Sequence, residues 1–330
     1  MKKTRFIKLG SLSVLLIILF GFPAKQPDVY YLSFAFILFT NIALSASWNI
    51  IGGFTGYLSF GHVAFFGVGA YTTALLLIEY GLSPFYTCIL GGIFAAIIAG
   101  VFGYPALRLR GPYFAVGSLL LGLSMRSVAA NLSFTGGTVG LWVPFMKANI
   151  FTSRMIFYEV MLGIAVIVIL IERWVEKSKF GFGLRSIREN EETAQTMVVN
   201  PTKLKMQAFI LSGFLTGVIG GVFAYYRVYL LPDSVFDTFL SIQIVTMALF
   251  GGATSWIGPI IGATVLTVLS ELMAGFLSIP SEVSRIIYGV ILILVIMFLP
   301  DGIVSLFTKT HAFKKKEART LSKAAADNKQ

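Results

Sequence analysis

Long apolar stretches separated by short polar breaks recur along the whole chain, at about 8–22, 30–51, 61–79, 84–104, 112–131, 155–174, 207–226, 239–256, 257–277 and 283–300. A helix rises about 1.5 Å per residue, and the hydrocarbon core of a bilayer is about 30 Å thick, so roughly 20 apolar residues suffice to cross it. The pattern predicts an all-α, polytopic membrane protein with about ten transmembrane helices. The first stretch is short and follows Lys2, Lys3, Arg5 and Lys8, which resembles a secretory signal. No small-residue cleavage site follows in Gly21-Phe22-Pro23-Ala24-Lys25, and the stretch is read as a retained helix.

Composition supports lipid as the solvent. The 330 residues are 56% hydrophobic and only 12% charged, about half the charge of ordinary soluble domains. The single cysteine, Cys88, excludes an intrachain disulfide framework, and two histidines leave little for a zinc site. No metal or other cofactor is expected.

Charge placement orients the chain. Arg108 and Arg110 lie in one loop, and Lys177, Lys179, Arg185, Arg188, Lys203 and Lys205 lie in the long segment 175–206. The tail 308–330 carries a further basic run around Lys314, Lys315 and Lys316, whereas the alternate loops hold few bases. Bases concentrate on cytoplasmic loops, so both termini and the 175–206 loop are expected in the cytoplasm. The organisation is then a membrane domain at 1–307 and a basic cytoplasmic tail at 308–330. The net charge of +11 reports this topology and the anionic inner leaflet, not nucleic-acid binding.

Two glycine-rich breaks interrupt the spans without any charge. Residues 52–61 include Gly52, Gly53, Gly56, Ser59 and Gly61, and residues 251–262 include Gly251, Gly252 and Gly258. Irregular backbone at membrane depth is tolerated only where it is buried in protein or lines a wet cavity. One break in each half of the chain suits a transporter built of repeated halves with broken, re-entrant helices along the solute path. Ordinary tight turns with close helix packing are the alternative. Ser59 and Ser255 are positioned to cap the helices that follow.

Arg126 and Glu271 are the charges read as lying within spans. Such a charge normally faces a partner or a cavity, although snorkelling suffices for Arg126 and a wet vestibule for Glu271. His62, beside Gly61, is read as a packed, hydrogen-bonded histidine. It stays a candidate for the solute path with the glycines and Glu271.

The segment 181–199 has an interrupted helical stripe of Leu184, Ile187, Ala194, Met197 and Val198. Arg185 with Glu189, and Arg188 with Glu192, are spaced to pair on its surface. Its acids disfavour an anionic lipid surface, so docking on another protein is favoured over lying on the membrane. The chain has no Gly-x-x-x-x-Gly-Lys-Ser/Thr phosphate loop, no paired-acid motif and no Gly-x-Ser-x-Gly elbow, so an enzyme is not expected and any ATPase is a separate subunit.

The chain resembles the branched-chain amino-acid ABC transporter permeases, a family related to the urea permeases. The resemblance runs from about residue 30 to 307. It is carried by Trp48 to His62, Phe65 to Tyr71, Leu107 to Ala115 and Thr135-Gly136-Gly137. It continues in Ile187-Arg188-Glu189-Asn190-Glu191 with Ala194, then Phe250-Gly251-Gly252, Trp256 to Pro259 and Leu299 to Gly302. It implies an inner-membrane importer subunit that carries branched-chain or other small amino acids inward. The implied partners are a second permease chain, two ATP-binding subunits and an extracytoplasmic solute-binding protein. Arg185, Ile187, Arg188, Glu189, Asn190, Glu191 and Ala194 would form the coupling helix against an ATPase. Departures from the family pattern at Leu121 to Arg126, Val139 and Val198 leave the solute open. A urea or amide permease and a stand-alone secondary transporter are the rivals.

Overall fold

Among the described residues, nine helices are long and apolar enough to cross a membrane. In this computed structural model those residues are 19–25, 27–196, 200–276, 280–298 and 302–304. Most of the first predicted span, Met197 and Val198, Leu299 to Asp301 and the basic tail lie outside them.

The long helices are α1 (Val29–Thr55), α2 (His62–Tyr80), α3 (Pro84–Ala106), α4 (Pro112–Asn131) and α5 (Ile150–Lys177). Two short helices follow, α6 (Lys179–Glu189) and α7 (Glu191–Thr196). The chain continues with α8 (Pro201–Arg227), the short α9 (Pro232–Val235), α10 (Thr238–Gly251), α11 (Ile257–Glu271) and α12 (Ser281–Phe298). The spans expected at 155–174 and 207–226 start earlier than their hydropathy suggests. For α8 the reason is local: the Asn200 side chain accepts the Lys203 N–H at 3.0 Å, and Pro201 sets the first turn.

Helix α8 is the central pillar, packed against α1, α2 and α3. Small residues permit the close approach. A Cβ on Gly69 of α2 would lie 2.0 Å from the Gly217 carbonyl oxygen of α8, and one on Gly217 would lie 2.5 Å from Ala95 Cβ of α3. Membrane helices gain no hydrophobic drive from meeting one another in lipid, so such tight packing is what holds them.

The first glycine break is re-entrant. Helix α1 stops at Thr55 with Gly56 in a left-handed conformation (φ 76°), which glycine adopts without strain. The chain then doubles back, and Trp48 Nε1 donates to the Ser59 carbonyl at 2.7 Å. His62 is bonded to the Ser212 hydroxyl at 2.6 Å, and Ser212 donates to the Ser47 carbonyl at 2.7 Å. Ser47 precedes Thr55 by eight residues, so α2 begins about 12 Å inside the end of α1. The second break is a tight turn between α10 and α11, where a Cβ on Gly258 would lie 2.0 Å from the Gly252 carbonyl oxygen.

At the opposite end of the bundle, β1 (Leu141–Trp142) pairs antiparallel with β2 (Tyr229–Leu230). Nearby, Arg126 Nε bonds Asp233 Oδ1 at 2.7 Å. A carboxylate partner, rather than snorkelling alone, therefore accounts for the first intramembrane charge.

Candidate functional site: a helix clasped across two glycine joints

Helix α6 starts at Ser178, whose hydroxyl accepts the Gly181 N–H at 3.1 Å. Leu184 and Ile187 are buried, and α6 packs on α1 and α8. The apolar stripe is real, but the chain's own membrane helices cover it. What faces outward is Phe182, 62% exposed, with Lys179, Arg188, Glu189 and Asn190. The expected single helix over 181–199 is two helices, because Asn190 adopts an extended conformation (φ −161°, ψ 112°). Its side chain accepts the Thr193 N–H at 2.9 Å and starts α7.

The two arginines of α6 reach the two breaks. Arg188 Nη1 donates to the Gly53 carbonyl of the first break, and its side chain lies over Gly56. Arg185 Nη2 donates to the Thr254 carbonyl of the second break at 3.2 Å, and to Glu176 at 3.0 Å. The expected pairing of Arg185 with Glu189 gives way to Glu176, while Glu192 meets Arg110 at 3.4 Å. The breaks also touch each other. Asn49 Nδ2 reaches the Ser255 carbonyl at 3.4 Å, and a Cβ on Gly53 would lie 2.2 Å from the Ala253 carbonyl oxygen.

Helix α7 is fastened by charge. Glu191 Oε1 accepts from Lys205 Nζ at 2.7 Å, and Oε2 from the Tyr57 hydroxyl at 2.5 Å. Lys205 also donates to the Tyr57 oxygen at 2.9 Å and to the Leu107 carbonyl at 3.4 Å. Partial burial opposes ionisation of Glu191, but hydrogen bonds from Lys205 and Tyr57 outweigh it and hold the carboxyl below its usual range. Ala194 is buried beside this cluster.

Serines close the re-entrant segment. Ser118 Oγ accepts the Phe60 N–H at 2.9 Å, and Ser241 Oγ the Val63 N–H at 3.2 Å. Ser59 Oγ accepts from Gly61 N–H and Ser255 Oγ from Ile257 N–H, both at 3.3 Å. In this conformation the helix starts are met by protein hydroxyls.

The candidate residues thus divide. Gly52, Gly53, Gly56, Gly251, Gly252 and Gly258 form the closed joint under α6, with Gly52 against the Trp48 ring. Ser59, Gly61 and His62 sit deeper, among buried serines. Glu271 is remote from both, near the other end, where its Oε1 accepts the Tyr30 hydroxyl at 2.6 Å.

Sequence reasoning missed Glu172. It lies in α5, fully buried, and its Oε1 accepts Asn49 Nδ2 at 2.6 Å. Its place near the expected end of a span disguised it as an interfacial charge. The Lys205 contact with Glu191 spans 14 residues and a chain reversal, which no helical spacing anticipates.

The family model for the branched-chain amino acid transport system / permease component matches residues 30–296. The chain belongs to this family. The high-affinity branched-chain amino acid transport system permease protein LivM of Escherichia coli is 30% identical to it, over 79% of this chain and 67% of the relative. LivM of Salmonella typhimurium is 29% identical, over 84% of this chain and 71% of the relative. The probable permease protein LivH of Methanocaldococcus jannaschii is 26% identical, over 70% and 76%. No solved structure matches the chain. The matched stretch of this family member includes both glycine joints, α6 and α7, and a cavity at the far end of the bundle. That cavity, of about 190 Å³, is lined by Thr40, Asn41, Arg227, Asp237 and Gln243 among other residues.

Proposed function

We propose that this permease-family chain is the membrane-spanning subunit of an ATP-binding-cassette importer that moves branched-chain or other small amino acids inward across a bacterial inner membrane. It works with a second permease chain, two ATP-binding subunits and an extracytoplasmic solute-binding protein, and hydrolysis belongs to the ATP-binding subunits. The end bearing α6 and α7 is cytoplasmic in this reading, which is the end the basic loops favour.

One observation carries the mechanism. A single surface helix is hydrogen-bonded through Arg188 and Arg185 to carbonyls of both glycine joints. A partner that pushes on Phe182, Glu189 and Asn190 displaces α6, and α6 cannot shift without pulling on the ends of α1 and α10. The joints are packed backbone against backbone, so they respond as bistable hinges rather than bending gradually. Opening and closing of the ATP-binding subunits would thereby reach the solute path.

The test is uptake of leucine into proteoliposomes containing this chain and its partner subunits. Accumulation should require ATP on the α6 side and survive ionophores that collapse ion gradients. Leucine uptake by this chain alone, without ATP, would overturn the reading.

A further inference from the structure

The cavity at the end opposite α6 holds charge of both signs against apolar walls. Arg227 ends α8 and stands over the Phe223 ring, 5.7 Å from guanidinium carbon to ring centroid. Among the described residues no carboxylate lies within 4.0 Å of it. Asp237 starts α10, with Oδ1 accepting the Phe239 N–H at 3.0 Å and Oδ2 accepting from Arg285 at 3.0 Å. Each carboxylate oxygen has a second acceptor site, so Asp237 retains capacity for another donor.

Deeper in, Asn41 spends its Nδ2 on Thr267 at 2.9 Å, which leaves its oxygen open. Gln243, six residues after Asp237, also lines the cavity. Ile37, Leu44, Phe66, Phe223 and Leu240 complete the apolar walls. The volume is below the roughly 300–1,000 Å³ of pockets that take drug-sized ligands, so the space suits a small solute.

Resting on the permease reading above, we propose that this cavity binds the transported α-amino acid as a zwitterion. Arg227 receives the carboxylate, Asp237 with the Asn41 and Gln243 oxygens receives the ammonium, and the apolar walls take an aliphatic side chain. The pairing has a physical basis: a guanidinium presents a planar fork matched to a carboxylate. A solute lacking the carboxylate leaves Arg227 without an anionic partner, one lacking the ammonium leaves the spare acceptor sites of Asp237, Asn41 and Gln243 unfilled, and that mismatch supplies discrimination.

The test places a thiol in the cavity with Gln243→Cys, the native Cys88 being replaced by Ser, and follows its maleimide labelling in the complete importer. L-Leucine should slow labelling, whereas 4-methylpentanoate and isopentylamine, each lacking one charge, should not at the same concentration. Arg227→Gln should raise the half-protecting leucine concentration at least about tenfold, and Arg227→Lys by less. Protection by either singly charged analogue equal to that by leucine would overturn the zwitterion assignment. No protection by leucine, with ATP-driven leucine uptake intact and unchanged by Arg227→Gln, would overturn the site while leaving the permease reading in place. Absence of ATP-driven leucine uptake in the parent complex would overturn both.

Discussion

Lys205 and Glu191 form an ion pair of 2.7 Å in which the lysine side chain is only 3% exposed. The pair ties the short helix α7 to the start of α8, with the Tyr57 hydroxyl bonded to both partners. Removing one member of a largely buried pair leaves the other without compensation, which typically costs about 3–5 kcal/mol. Lys205→Met should therefore lower the melting temperature more than the double variant Lys205→Met/Glu191→Leu. A double-mutant cycle read by thermal unfolding in detergent checks this, and additive losses would show the pair to be uncoupled.

The same pair has a signed pH dependence. Native contacts depress the Glu191 pKa from its ordinary 4.5. The stabilisation is therefore present in full above the ordinary value and is lost as pH falls from there through the depressed native value. The melting-temperature difference between the parent and Glu191→Gln should be largest near neutrality and vanish at acid pH. A difference that grows as pH falls would contradict this assignment.

In the proposed mechanism Arg188 and Arg185 link α6 to both glycine joints. Both are bonded to carbonyls at glycine joints from a surface helix, and each hydrogen bond from a charged donor is worth about 1.5–3 kcal/mol. Arg188→Ala with Arg185→Ala should leave insertion and assembly intact and cut leucine uptake at least about tenfold, while ATP hydrolysis by the complex persists. Parallel measurement of uptake and hydrolysis decides this, since unchanged uptake would mean that the joints move without α6.

The glycines divide by what a side chain would meet. A Cβ on Gly258 lies 2.0 Å from a backbone carbonyl of the facing turn, which cannot swing away, whereas one on Gly56 meets the flexible Arg188 side chain at 3.2 Å. Gly258→Ala should abolish recovery of monodisperse protein in fluorescence-detected size exclusion. Gly56→Ala should be recovered, weakened mainly by left-handed strain of roughly 1–2 kcal/mol. Equal recovery of the two would refute the distinction.

The membrane helices were legible in sequence because hydropathy reports burial in lipid directly, as the limits of α3 and α4 illustrate. The glycine breaks were also visible, as composition, but their geometry was not. That Ser59 returns to the level of Trp48 depends on a tertiary hydrogen bond, and that Gly53 faces Ala253 depends on the packing of α1 against α11. The stripe of Leu184 and Ile187 announced an amphipathic helix without saying which surface it covers, since a period is the same for a partner and for one's own core. The zwitterion cavity drew no notice because Arg227 and Asp237 sit at helix ends, where a charge looks like ordinary interfacial anchoring.

Glu172 supplies the last expected outcome. It is fully buried in a membrane helix, and one oxygen holds Asn49, whose amide also reaches the Ser255 carbonyl of the second joint. An ionised group so placed is costly in lipid surroundings, so the role assigned to Glu172 is that of a hydrogen-bond acceptor for Asn49. Glu172→Gln keeps an acceptor for Asn49 and should melt at the parent temperature or above it. Glu172→Leu leaves one N–H of the Asn49 amide without its acceptor and should cost about 1–3 kcal/mol. It should also slow uptake more than Glu172→Gln, because Asn49 no longer holds α1 to α5 beside the turn that α6 grips. Thermal unfolding and ATP-driven leucine uptake of the two variants separate these effects, and a glutamine variant as impaired as the leucine one would show that the charge itself is needed.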